Sequence, residues 1–369
     1  MSESLLERSS ARSSEHEQLL QVHDLKTYFP TPRGLVKAVD GVSFDLERGR
    51  TLGIVGESGS GKSVLSRSIM RLLPRNTELH GQVMFDGRDL TNMKQAELRD
   101  VWGAEIAMVF QDPMTSLNPV MRIGPQITES VRHHLGVGKS EARETAIALL
   151  TSVGIPEPVR RLNEYPHQLS GGMRQRVTIA IALACGPRLL IADEPTTALD
   201  VTVQAQILDL LKTQQSERFM GMILVTHDLG VVAGRTDDIA VMYAGKIVEQ
   251  APTEELFADV KMPYTEALLQ SIPRLTNHSH TRLQSIKGRP PDLVNLPKGC
   301  RFASRCPYVQ DKCLEEEPPL IPISGKPNHL YRCWFPVGTS AGEAALEANR
   351  AAGVIDIDVD PAAAGEVIA

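Results

Sequence analysis

Aromatic residues make up only 4% of the 369-residue chain, too few for a base-stacking surface along single-stranded nucleic acid. Basic charge is short as well. Lys and Arg number 39 against 45 Asp and Glu, a net charge of −6, so no global basic field attracts a phosphate backbone. No run approaches the ~18 consecutive apolar residues of a membrane-spanning helix. Met1 to Gln18 carries Glu3, Glu7, Glu15 and Glu17 and lacks an apolar centre, which argues against a secretory signal. A cytosolic chain is expected, with any membrane role acting through partners. Cysteine is scarce, five in all. Four of them, Cys300, Cys306, Cys313 and Cys333, crowd into the C-terminal third. In a cytosolic chain such clustering favours metal binding over disulfides. The remainder, 42% apolar and 23% charged, is an ordinary globular composition with length for two or three domains.

What is present organises around Gly56-Glu57-Ser58-Gly59-Ser60-Gly61-Lys62-Ser63. The apolar run Thr51-Leu52-Gly53-Ile54-Val55 precedes it, and residues 64–73 follow at helical spacing. Strand, glycine loop and helix start thus come in the order a phosphate cradle requires. Glycines let backbone N–H groups converge on an anion, and the helix start adds its positive end. Lys62 can reach the β- and γ-phosphates, and the Ser63 hydroxyl can ligate Mg2+. Leu189-Leu190-Ile191-Ala192-Asp193-Glu194 puts two carboxylates at the end of a buried strand, where open α/β sheets bind ligands. Asp193 suits the Mg2+ shell, and Glu194 suits polarising the water that attacks a γ-phosphate. Leu169-Ser170-Gly171-Gly172-Met173-Arg174-Gln175-Arg176 opens another helix, with Ser170 as cap and two glycines baring backbone N–H groups. One nucleotide seldom needs two such helix starts, so the second is expected to serve a nucleotide held by another subunit.

Around these motifs, short β-like runs at 20–23, 35–39, 42–46 and 81–85 suggest an antiparallel layer, with Asp40-Gly41 as a turn. Helical patterning dominates from about Asp112 to Ala184. Wholly apolar runs at 189–192, 222–225 and 239–242 read as parallel strands covered on both faces. An α/β core with a helical insertion fits this order. Beyond Met262 the prolines make long regular elements unexpected.

The combination resembles the ATP-binding subunit of an ABC transporter. Gly56–Ser63 is similar to the family's Walker A loop, Leu190–Glu194 to its Walker B strand and Leu169–Gln175 to its signature sequence. Gln111, within Val109-Phe110-Gln111-Asp112-Pro113, matches the Q-loop. Ala198-Leu199-Asp200 matches the D-loop and Thr226-His227-Asp228 the switch-histidine motif. The resemblance implies a P-loop NTPase α/β fold with an antiparallel β subdomain, a helical subdomain and an irregular C-terminal extension. It implies two subunits that clamp two ATP molecules, each between one subunit's Gly56–Ser63 and the other's Ser170, Gly171, Gly172 and Gln175. His227 would contact the γ-phosphate, and Gln111 would join Ser63 and Asp193 near Mg2+ and the attacking water. The expected catalytic set is therefore Lys62, Gln111, Glu194 and His227. Asp200 would bridge the subunits, and Phe29, with Tyr28 as the alternative, would stack on adenine.

The C-terminal third narrows the resemblance. Glu249-Gln250-Ala251-Pro252-Thr253, Pro263-Tyr264-Thr265-Glu266-Ala267-Leu268-Leu269 and Gly288-Arg289-Pro290-Pro291-Asp292-Leu293 are similar to the oligopeptide/dipeptide importer ATPases. Ser271-Ile272-Pro273-Arg274 and residues 296–302 follow the same pattern. That implies a peripheral protein on the cytoplasmic face of the membrane, energising peptide import. Its partners would be two permease subunits, a second, distinct ATPase subunit (otherwise a homodimer) and an extracytoplasmic solute-binding protein, with no nucleic acid. Residues 112–167 would receive a permease coupling helix. An importer of nickel complexes, opines or glutathione is the alternative, and a soluble non-transport ABC ATPase a more distant one. The spacing Cys300-x5-Cys306-x6-Cys313-x19-Cys333 lacks the close pairs of a structural zinc site, whereas four thiolates on an irregular loop can hold an iron–sulfur cluster. The resemblance favours 4Fe–4S, with zinc or free thiols as alternatives. The expected organisation is a disordered 1–17, a nucleotide-binding domain over 18–262 with its helical subdomain about 112–184, an oligopeptide/dipeptide-type C-terminal domain over 263–337 with the four cysteines, and a weakly structured tail over 338–369.

Overall fold

The computed structural model describes residues 18–197, 199–272 and 286–353. The described strands are β1 (Gln18–Thr31), β2 (Gly34–Glu47), β3 (Thr51–Val55), β4 (Glu78–Phe85), β5 (Arg88–Asp89) and β6 (Ile106–Val109). They continue with β7 (Leu189–Asp193), β8 (Gly221–Thr226), β9 (Asp238–Tyr243), β10 (Lys246–Pro252), β11 (Ile321–Ile323) and β12 (Lys326–Tyr331). Two sheets result. One is antiparallel in the order β2-β1-β4-β5, and the other runs β11-β12-β10-β9-β3-β8-β7-β6.

The first sheet is longer-stranded than its sequence suggests. Asp40-Gly41 is not a turn but a bulge inside the 14-residue β2. Leu25 pairs with Val42 and Lys26 with Asp40, so Gly41 is skipped, and its φ of +81° is one glycine tolerates.

In the second sheet β9, β3, β8, β7 and β6 are mutually parallel. Every residue of β3, β7 and β8 is buried, as a sheet covered on both faces requires. Alternate residues feed opposite layers. Leu189 and Ile191 pack with the antiparallel sheet and the helix Lys62–Ile69, whereas Leu190 and Ala192 pack with Ile127, Val131, Ala146 and Leu150 of the helical segment. The helices of that segment run from Pro113–Ser116 to Gly171–Ala182.

The chain beyond Met262 is more regular than its prolines suggest. A helix forms over Pro263–Gln270, and the hairpin β11–β12 extends the central sheet, with Glu249 opposite Tyr331. Pro322 sits on the edge strand β11, and Pro327 precedes the first residue of β12 that pairs with β10, both positions that tolerate a missing N–H. The stretch expected to be a weakly structured tail holds a helix over Ser340–Ala351. Thr339 Oγ1 caps it by accepting from the Gly342 N–H at 3.1 Å, and Asn349 donates to the carbonyls of Pro307 and Val309. Expectations for residues 1–17, Ala198, Pro273-Arg274 and 354–369 lie outside the described residues.

One buried pair fastens this hairpin to the core. Glu249 and His329 are both 0% exposed. Glu249 accepts from the N–H groups of Lys261 (2.7 Å) and Met262 (3.2 Å), and its Oε1 lies 3.0 Å from His329 Nε2. Glu249→Ala strands two amides and an imidazole without their acceptor. It should cost about 3–5 kcal/mol of stability in denaturant unfolding, and a loss under about 1 kcal/mol would contradict this anchoring role.

Candidate active site

The loop 56–61 joins β3 to the helix Lys62–Ile69. A Cβ on Gly56 would come within 2.2 Å of the Met242 carbonyl oxygen, and one on Gly61, at φ +105°, within 2.2 Å of the Ala38 oxygen. Only glycine lets the loop lie this close to β9 and β2. A Cβ on Gly59 would meet nothing within 4 Å, so the loop's outer side is open to a ligand. Lys62 is 4% exposed, and its Nζ donates to the carbonyls of Gly56 (2.6 Å) and Glu57 (3.0 Å). Burial pulls its pKa down against the pull of Glu194, whose Oε1 is 3.8 Å away.

Asp193 ends β7, one strand removed from β3 across β8. It is 1% exposed and accepts from the Ser63 hydroxyl at 2.9 Å; burial raises its pKa, with Ser63 opposing. This hydroxyl and carboxylate are hard oxygen donors of the kind that hold Mg2+ together with substrate phosphates. Glu194 turns out of the strand at φ +46°, a left-handed conformation that costs a non-glycine residue of order 1 kcal/mol and often marks a functional site. Its Oε2 accepts from Gln111 Nε2 (2.9 Å) and Thr197 Oγ1 (3.1 Å) and lies 3.4 Å from His227 Nδ1. The structure thus gathers Lys62, Gln111, Glu194 and His227 around one carboxylate. Thr197 was not singled out from the sequence, because a threonine after Walker B-like carboxylates carries no spacing signal.

The neighbouring His227 imidazole lowers the Glu194 pKa, with burial opposing, and Glu194 in turn raises that of His227. The raised His227 pKa means the pair's contribution is full below the ordinary histidine value of about 6.5 and fades as pH climbs through the raised value. The lowered Glu194 pKa confines the other edge, where the contribution fades as pH falls through that value. NMR titration should therefore place the His227 midpoint above about 6.5, returning towards it in Glu194→Gln. An unmoved midpoint in that variant would show that Glu194 is not its cause.

A cleft of about 440 Å³ opens over the loop, lined among others by Phe29, Val36, Gly59, Lys62, Glu194 and Leu293. Phe29 pairs with Val36 across β1 and β2. Tyr28 is committed elsewhere, its hydroxyl donating to Asp40. Leu293 comes from the C-terminal extension, where its carbonyl accepts from the Lys37 N–H at 3.1 Å.

Ser170 caps the helix Gly171–Ala182, its Oγ accepting from the Met173 N–H at 3.3 Å. Ser170 is exposed and Gly171 and Gly172 are half-buried, none of them lining the cleft. Gln175, expected to share their nucleotide, is 1% exposed, buried although it lies four residues on from Gly171 on the same helix face. Asp200 caps Val201–Arg218, accepting from the Val203 N–H at 2.9 Å, beside an 81% exposed Val201.

The four C-terminal cysteines are free of disulfides and line one small cavity of about 10 Å³, room for about one water molecule. Burial raises every one of these thiols, Cys300 to about 11 and Cys333 to about 12. Among the described residues no group of three or more His, Cys, Asp or Glu side chains is placed to hold a metal ion. The expected metal centre is therefore not assembled here. The cysteines share a cavity without meeting at one point.

Two family models match the chain, one described as ABC transporter over residues 39–197 and one as oligopeptide/dipeptide transporter, C-terminal region, over 248–313. The chain is 51% identical to the oligopeptide transport ATP-binding protein OppD of Bacillus subtilis, over 86% of this chain and 89% of that one. It is 51% identical to the dipeptide transport ATP-binding protein DppD of Lactococcus lactis, over 86% and 91%. Among solved structures it is similar to the ATP-binding cassette MJ0796, captured as a dimer in a post-hydrolysis state with ADP and Pi. That likeness has a TM-score of 0.58 and 28% identity, and covers 64% of this chain and 99% of that one. By its fold, its clustered carboxylate site and this identity along most of its length, the chain belongs to the ATP-binding proteins of ABC transporters, in the group that carries the oligopeptide/dipeptide transporter C-terminal region.

Proposed function

We propose that the chain is the ATP-hydrolysing subunit that energises an importer of oligopeptides or dipeptides. The observation that carries this reading is 51% identity, across 86% of the chain, to proteins named for oligopeptide and dipeptide transport. In this reading Gly56, Glu57, Ser58, Gly59, Ser60, Gly61, Lys62 and Ser63 wrap the triphosphate, and Phe29 faces the base with Leu293 beside it. Ser63 and Asp193 hold Mg2+, whose charge supports the phosphates, and Gln111 approaches from the helical segment. Glu194 takes the proton of the attacking water, held in register by Gln111, Thr197 and His227.

The exposed Ser170 and the half-buried Gly171 and Gly172 face a second subunit's ATP, with Asp200 near the junction; the dimeric state of the MJ0796 cassette supports this arrangement. The helical segment receives a coupling helix from one of two permeases. An open cleft of about 640 Å³ there, lined by Arg122, Thr128, Glu129, Arg132, Lys139 and Arg143 among others, is the docking place this reading assigns to a permease helix. A solute-binding protein delivers the peptide from outside. Among the described residues no helix is long and apolar enough to cross a membrane; in this reading the chain sits peripherally on the cytoplasmic face. Deleting the gene should abolish uptake of a labelled tripeptide, with restoration by the wild type and not by Glu194→Gln. Unchanged peptide uptake alongside lost uptake of another solute would move the assignment to that solute.

A narrower reading concerns Cys300, Cys306, Cys313 and Cys333. That all four line one small cavity favours a bound 4Fe–4S cluster, which would have to open that cavity and would then cross-link the extension. A zinc ion needs all four sulfurs within ~2.3 Å of one point, whereas a cluster takes one thiolate on each of several irons and so tolerates more widely separated thiols. Anaerobically purified protein with sulfur-to-iron charge-transfer absorption supports the cluster; metal analysis without iron rejects it.

A further inference from the structure

The C-terminal extension reaches the phosphate loop from behind, through Arg305. Its side chain is 2% exposed, and all five guanidinium N–H donors find acceptors. Nη1 donates to Glu57 Oε2 (2.6 Å) and the Tyr243 hydroxyl (3.3 Å), and Nη2 to Glu57 Oε1 (2.9 Å) and the Ile286 carbonyl (3.2 Å). Nε donates to the Lys287 carbonyl at 2.9 Å. The guanidinium carbon lies 5.8 Å from the ring centres of both Tyr243 and Phe302. Glu57 is also held by its backbone, whose N–H donates to the Tyr264 hydroxyl at 2.8 Å. Tyr243, Tyr264 and Phe302 pack against one another with ring centres 4.6, 5.3 and 5.4 Å apart, so the grip on Glu57 stands on a rigid base. The turn carrying Arg305 is bracketed by Cys300 and Cys306, both lining the cysteine cavity.

We propose that Arg305 is a positioning residue of the nucleotide site, an inference that rests on reading Gly56–Ser63 as the ATP loop. Glu57 places a carboxylate in a loop that must gather the negative charge of a triphosphate. An unpaired carboxylate there repels the ligand. The two-pronged pair with Arg305 neutralises it and draws it to the back of the loop, fixing the loop before ATP arrives. The extension is therefore part of the ATP-binding device and not an appendage to it. Because the loop is fixed alike in the bound and the transition state, the effect falls on affinity and KM, not on kcat.

The test uses the full-length chain, with Mg-ATP as the probe in equilibrium binding and steady-state turnover, and a melting curve on each variant to confirm the fold. Arg305→Gln should raise both Kd and KM for ATP about tenfold with kcat within about twofold. Arg305→Lys, which keeps the charge and the buried stem, should raise them only about threefold. Adding Glu57→Gln to Arg305→Gln removes the orphaned carboxylate and should bring Kd back towards the wild-type value. A purely structural role would instead give additive losses. Unchanged Kd in folded Arg305→Gln, or in Arg305→Lys should the glutamine variant not fold, overturns the proposal, as does a double variant worse than Arg305→Gln. Lys62→Ala runs alongside, and wild-type ATP binding in that variant would overturn the loop reading itself.

Discussion

Glu194→Gln should lower ATP turnover by about a hundred- to ten-thousandfold, the contribution of a positioned general base, while ATP stays bound. Glutamine keeps the shape and one acceptor oxygen, so the bonds from Gln111 and Thr197 can persist while the proton acceptor is gone. The variant should therefore accumulate an ATP-bound dimer, visible as an ATP-dependent shift in size-exclusion chromatography. The effect should be specific to this carboxylate. Asp193, one residue earlier and 1% exposed, is occupied by Ser63 and is raised by burial. Turnover undiminished in Glu194→Gln would remove Glu194 from the chemistry.

Lys62→Ala should fail differently, losing affinity and turnover together. Lys62 is the cation inside the loop, and its Nζ already lies between the Gly56 and Glu57 carbonyls and Glu194. Removing a donor aimed at developing phosphate charge costs about a hundred- to thousandfold in turnover, and here the same donor also serves the ground state. Binding and single-turnover measurements on both variants should separate them: Glu194→Gln binds without hydrolysing, and Lys62→Ala scarcely binds. Equal affinities in the two would contradict the division of roles.

The parts of the site that were legible in the sequence are those whose signal is local. Glycine spacing followed by Lys62 and Ser63, and a buried strand ending in Asp193 and Glu194, encode their geometry within a few residues. The resemblance to the ABC family then supplied Gln111 and His227, which the structure brings onto Glu194. The fold followed for the same reason, because β3, β7 and β8 are short apolar runs buried on both faces.

What stayed hidden depends on distant partners or on which face of an element is covered. Arg305 and Glu57 stand 248 residues apart, and nothing near either predicts the other. The hairpin β11–β12 sits among prolines whose placement on an edge strand and at a strand start is visible only once the sheet is assembled. Gln175 lies within a recognisable motif, yet it is buried. The Ser340–Ala351 helix has few large apolar residues to announce it and depends on docking through Ala345 and Asn349. The cysteines' clustering was legible, but sequence spacing does not fix how their thiols converge.

The most direct test of the functional reading is ATP hydrolysis by the chain assembled with its permeases and partner ATPase in liposomes, with the solute-binding protein added empty or loaded with peptide. Peptide-loaded binding protein should raise hydrolysis well above the empty form, and the rise should vanish in Glu194→Gln. Hydrolysis indifferent to peptide but stimulated by another solute would contradict it.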